Sequence, residues 1–112
     1  MRAMVRVLTL VFVSLLATSA AGETAYLHIR FSHHAVERLK ERHIARAWVE
    51  HVVRAPDWTE PDRRNPSVHL AFGHIGEAHG MILRVVYTEA GETELVITEY
   101  FDREASRRAP NP

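Results

Sequence analysis

The sequence predicts an α+β domain over residues 26–104, with two helices packed on one face of a small antiparallel sheet. Three observations predict it. Apolar residues recur at helical spacing between His33 and Arg54. They alternate at strand spacing in three later segments. Turn-forming residues separate those segments.

Tyr26–Phe31 (YLHIRF) alternates large apolar with polar residues and reads as a short lead-in strand. Ser32 is suited to cap a helix by accepting from free backbone N–H groups. The helix then covers His33–Arg42, with Ala35, Val36 and Leu39 as its buried stripe. A turn at His43–Ile44 leads to a second helix over Ala45–Arg54. There Trp48, Val49, Val52 and Val53 form an amphipathic face, and Ala55-Pro56 ends it, because proline disfavours helix at the residue before it. Asp57–Pro66 is polar and holds two prolines, with Trp58 as a candidate strand anchor. Ser67–Phe72, Met81–Thr88 and Glu94–Phe101 read as three strands. Gly73–Gly80 joins the first two, and a hairpin at Glu89–Thr93 joins the last two. The end of the chain, residues 105–112, has two prolines and no apolar period, and reads as a flexible tail.

The first 21 residues differ in kind from the rest. Arg2 and Arg6 precede the apolar run Val7–Ala17, and small residues follow at Thr18–Gly22. This is the plan of a secretory signal peptide. The run is short of the roughly 20 residues a membrane span needs, so no stable span is expected after cleavage. If the segment is a signal, the domain is periplasmic or secreted. If translation starts downstream, near the beginning of the domain, the protein is cytoplasmic.

Composition narrows the function classes. The chain has 112 residues, no cysteine, and 14 basic against 14 acidic side chains. Disulfides, thiol nucleophiles and cysteine-built metal centres are excluded. Arg2 and Arg6 lie in the first 21 residues and every acid lies after Gly22, so the domain itself is slightly acidic. That argues against broad, sequence-independent attraction to nucleic acid. The eight histidines show no metal-ligand spacing, and no phosphate-binding glycine loop or nucleophile-elbow motif occurs. No metal and no cofactor are expected.

Two constellations remain. His34, Arg38 and Arg42 are four residues apart. At about 100° per residue they form a slanting stripe along one side of the first helix. A neutral imidazole and two guanidiniums near a helix N-terminus suit a phosphate or phosphodiester. The same spacing suits a solvated face on which Glu37 and Glu41 pair with these side chains. The second constellation centres on Arg84, a charge inside the apolar strand Ile82–Tyr87. With a three-residue hairpin loop, Arg84 stands opposite Thr98 and Ile82 opposite Tyr100. An arginine, a hydroxyl and a phenol on one face would bind an anion or stabilise a transition state. Alternatively, Arg84 pairs with Glu99, Glu94 or an acid from a helix. Tyr100, Trp58 and Tyr26 are candidates to stack on bases, whereas Trp48 reads as core.

The run Phe31–Ile44 (FSHHAVERLKERHI) resembles the opening of the bacterial domain-of-unknown-function family 4258. The ending Arg54-Ala55-Pro56 and the strands Leu83–Tyr87 and Leu95–Tyr100 are also similar to that family. The resemblance covers about residues 29–103. The family is grouped with RelE/ParE-like toxins, which implies a small α+β fold, a toxin-type endoribonuclease activity, and RNA or an antitoxin-like protein as partner. Matching positions make His34 and Arg84 the candidate catalytic residues, with Arg38, Arg42, Thr98 and Tyr100 as anion binders. A non-catalytic exported interaction module on the same fold is the alternative. Oligomeric state is not readable. Two positions depart from the family pattern: His43 stands where glycine is expected, and Ala45 where a capping serine or threonine is expected.

Overall fold

The computed structural model describes residues 28–108. The signal-peptide-like segment lies outside them, as do Tyr26 and Leu27 of the expected first strand. The described chain is an α+β domain with one five-stranded sheet and three helices. The elements are β1 (His28–Phe31), α1 (His33–Arg42), α2 (Arg46–Arg54), β2 (Trp58–Pro61), β3 (Val68–Ile75), a short 3₁₀ turn (Gly76–Ala78), β4 (Met81–Ala90), β5 (Thr93–Phe101) and α3 (Arg103–Arg108). The spatial order is β1-β5-β4-β3-β2.

The sheet is mixed, which corrects the antiparallel expectation. β1 pairs in parallel with β5, from His28 opposite Thr93 to Phe31 opposite Val96. The other three pairings are antiparallel. Two helices and three strands intervene between β1 and β5, and local periodicity does not encode so distant a pairing. β3 also runs three residues beyond its expected end, through Gly73 to Ile75. β2 forms where a polar loop was expected, with Pro61 on the sheet edge where its missing N–H costs no ladder bond. α3 occupies the start of the expected tail, so the ordered domain reaches Arg108.

α1 begins as the sequence suggests. The Ser32 hydroxyl accepts the Ala35 N–H at 3.0 Å. It also donates to the Ile97 carbonyl at 3.2 Å, while the Ser32 N–H donates to Val96 O at 3.0 Å. At the other end His43 adopts the left-handed conformation, φ 53°, and Ile44 N–H bonds back to Leu39 O at 3.0 Å. That closure normally favours glycine. Ala45 precedes α2 without a side-chain cap.

The sheet has two unlike faces. α1 and α2 cover one, where Ala35, Val49 and Val52 pack against Ala71, Leu83, Val85 and Val96. Gly73 lets α2 approach, since a Cβ there would stand 2.9 Å from Val52 Cγ2. On the opposite face Leu70, Phe72 and Ile82 pack with Ala105 of α3. Trp58 stacks on Phe72 with ring centroids 4.7 Å apart. Each such large apolar side chain contributes about 1.5–3 kcal/mol when buried.

Two stability changes follow. Gly73→Ala forces its new methyl into a stiff β-branched side chain, and is expected to cost about 1–3 kcal/mol. His43→Gly relieves a left-handed backbone at a residue with a Cβ, and is expected to stabilise by about 1 kcal/mol. Urea midpoints measure both, and an unchanged midpoint in either variant contradicts the corresponding contact.

Candidate anion-binding site

The helix stripe is partly engaged with itself. Arg38 Nε donates to His34 Nε2 at 3.3 Å, so that ring nitrogen presents its lone pair. Arg38 also pairs with Glu41, the solvated-face arrangement that the spacing allowed. Glu37 lies 4.0 Å from His33 rather than beside His34. Such exposed pairs contribute little to stability.

Arg42 leaves the stripe and turns to the sheet. Its Nη1 donates to the Glu99 carbonyl at 2.7 Å. Its guanidinium carbon stands 5.7 Å from the centre of the Tyr100 ring. Arg84 approaches the same ring at 5.4 Å and Phe72 at 5.7 Å. Tyr100 therefore sits within reach of two guanidiniums, one from α1 and one from β4. Distances of this order allow a cation–π attraction.

The register that builds this group differs from the expected one. The hairpin turn has two residues, Gly91 and Glu92, with Gly91 at φ 67°. Tyr87 then faces Val96, but Val86 faces Thr98, so Ile97 is an extra residue in β5. As a result Arg84 stands opposite Tyr100, and Thr98 opposite Val86. Arg84, Thr98 and Tyr100 still share a face, shifted by two residues from the expected pairing. Thr98 is Arg84's diagonal neighbour rather than its partner.

Arg84 finds its acid in Asp102, which lies between β5 and α3 and is neither Glu99, Glu94 nor an acid from a helix, the partners expected. Arg84 Nη1 lies 3.3 Å from Asp102 Oδ2. The other oxygen of Asp102 accepts the Ala105 N–H at 2.9 Å and so caps α3. Burial pushes the Asp102 carboxyl up, but the bonds from Ala105 and Arg84 outweigh it and hold the group below its ordinary range. Arg84 Nε is buried without an acceptor.

Sequence reasoning missed the state of Glu99. It lies opposite Val85 on the helix face and is fully buried, with no partner for either carboxylate oxygen. Burial raises its pKa to about 7, against the pull of the Arg42 guanidinium. Glu99 projects to the face opposite Arg84 and Tyr100, so its carboxyl is not part of their group. No pattern in the sequence marks it as buried, because the bulge at Ile97 decides its side. Among the described residues no three His, Asp or Glu side chains are grouped to hold a metal ion.

The geometry defines a small α+β domain with an arginine–aromatic group at the end of its second strand-long hairpin arm. A family model, Domain of unknown function (DUF4258), matches residues 31–101, and the chain belongs to that family. Comparison with the curated proteins and with the solved structures gave no match. The match ends before Asp102, so the acid that holds Arg84 lies outside it.

Glu99 makes stability depend on pH. Its folded pKa is above the ordinary carboxylate value, so the folded state binds the extra proton. The contribution of Glu99 is then fully present below the ordinary carboxylate range and is lost as pH climbs towards about 7. Above that it levels off. The full loss is about 3 kcal/mol. Glu99→Gln is expected to flatten this descent, read from urea unfolding at several pH values. An equal descent in the variant would mean that Glu99 is not its source.

Proposed function

We propose that the domain is a toxin-type RNA-binding protein of the RelE/ParE-like kind, with Tyr100 as a stacking platform and Arg42 and Arg84 as phosphate binders. The observation that carries this reading is the Tyr100 ring flanked by the two guanidiniums. A base that stacks on this ring would displace a guanidinium from over its face to the rim, where guanidiniums bind phosphates through paired N–H donors. Arg38 and His34 continue the path along α1, and Thr98 offers a hydroxyl on the Tyr100 face.

Cleavage is the further step of this reading. The 2′-hydroxyl would attack the adjacent phosphorus in line, giving its proton to a base, while the 5′-oxygen leaves and takes a proton from water to become a 5′-hydroxyl. His34 is the base candidate; its Nε2 lone pair accepts from Arg38 Nε in this structure and would have to be released to take the proton. Arg84 would offset the charge that builds on the phosphoryl oxygens. An antitoxin-like protein partner would cover the same surface.

The signal-like first 21 residues favour a second reading, a non-catalytic interaction module that is periplasmic or secreted. An exported domain meets no cytoplasmic messenger. A downstream translation start returns the domain to the cytoplasm.

Binding of a labelled single-stranded oligoribonucleotide tests the first reading. Tyr100→Ala is expected to weaken binding by about tenfold, the size of one lost stack. Arg42→Ala is expected to weaken it and to lessen its salt dependence. Cleaved product ending in a 2′,3′-cyclic phosphate, lost in His34→Ala, supports catalysis. An affinity that Tyr100→Ala leaves unchanged rejects the platform.

A further inference from the structure

The face of the sheet opposite α1 and α2 also holds a cleft, beside the Tyr100 group and sharing Arg84 with it. It encloses about 550 Å³ and is lined by Arg63, Arg64, Arg84 and Arg108 around Leu70. This volume is in the ordinary range for small-ligand sites. The four arginines come from three separate elements: the β2–β3 loop, β4 and α3.

Three carboxylates, Glu60, Asp62 and Glu104, also line the cleft. Two of them are already occupied. Asp62 Oδ2 accepts the N–H groups of Arg64 at 3.1 Å and Asn65 at 2.9 Å. Glu60 Oε2 accepts the Trp58 indole N–H at 2.9 Å. Arg63, Arg64 and Arg108 make no ion pair among the described residues. Arg84 adds a buried Nε without an acceptor. With three carboxylates in the lining and Asp102 beside Arg84, the net charge of the cleft is small, and what it offers an anion is the guanidinium donors that no carboxylate takes up.

The loop is also preformed. Asp62 N–H donates to Val68 O at 3.1 Å, and Val68 N–H to Asn65 O at 2.9 Å. These bonds close the turn that carries Arg63 and Arg64, so little ordering remains to be done on binding. Arg84 belongs to both places. It lines the cleft and approaches the Tyr100 ring.

We propose that this cleft binds the terminal phosphate of the RNA strand whose base stacks on Tyr100, a proposal that rests on the RNA-binding reading. A terminal monoester carries about two negative charges near neutral pH, against one for an internal diester. Several guanidiniums suit the more highly charged group. The limited volume suits one strand end rather than a continuous run.

The test uses the full chain and one short oligoribonucleotide with an internal fluorophore. It is prepared with a 5′-phosphate, with a 3′-phosphate, and with neither, and binding is followed by anisotropy. One of the phosphorylated forms is expected to bind about tenfold more tightly than the unphosphorylated form, the effect of one charge-assisted contact. Arg63→Ala/Arg64→Ala is expected to erase that preference while leaving the affinity for the unphosphorylated form unchanged. These two side chains are exposed, so the fold should survive their loss. Equal binding of all three forms to the wild-type chain overturns the proposal and leaves the RNA-binding reading standing. So does a preference that persists in the double variant. If none of the three binds, both fail.

Discussion

One extra residue in β5 decides which side chains meet. The two-residue turn at Gly91–Glu92, continued without interruption, would set Arg84 opposite Glu99. Ile97 shifts the ladder by one. Beyond it Glu99 faces the helices, and Tyr100 faces the side that carries Arg84. The arginine–aromatic group and the buried carboxyl are two consequences of that shift. The group gains a platform between two cations, while Glu99 is left without a partner in an apolar layer. The same insertion that builds the candidate site therefore costs stability on the other face.

The bulge is held by the start of α1. Beyond Val96, β5 has no strand on its outer side, since β1 ends at Phe31. Its outward carbonyls still need donors. Ser32 supplies two of them, its N–H to Val96 O and its hydroxyl to Ile97 O. Arg42, one helix length away, supplies a third to Glu99 O. α1 thus lies along the strand as a substitute neighbour, which also protects the edge from pairing with another chain. This gives the stripe residue Arg42 a structural duty that its spacing alone does not reveal. It is both an edge donor and a cation beside Tyr100.

Local features of the sequence were legible where one residue type has one dominant use. The cap at Ser32, the span of α1, and the gathering of Arg84, Thr98 and Tyr100 on one face are all of this kind. Features set by distant pairing were not. β1 joins β5 in parallel across most of the domain, and nothing in His28–Phe31 names its partner. The bulge has no local marker, so the expected three-residue loop gave the right face through the wrong register. Asp102 was invisible as Arg84's partner because its position depends on α3. That helix is built from a polar hexamer with a single buried residue, Ala105. Gly73 read as a loop because glycine usually breaks strands, whereas here it admits Val52 of α2.

The charge balance gains meaning from this geometry. A chain with 14 bases and 14 acids has little long-range field to draw a polyanion towards it. On the proposed RNA-binding reading, recognition comes from contacts at short range, where guanidiniums are fixed in place before the ligand arrives. The fixing is visible: Asp102 holds Arg84, the Glu99 carbonyl holds Arg42, and the Asp62 turn holds the loop that carries Arg63 and Arg64. Each anchor lowers the ordering cost of binding. Only the anchors on Arg42 and the loop do so without spending a full carboxylate on the guanidinium itself. Arg84 is the exception, with its charge shared with Asp102. An incoming phosphate must compete with that carboxylate or use the donors it leaves free. This makes Arg84 the residue whose contribution depends most on what Asp102 gives up.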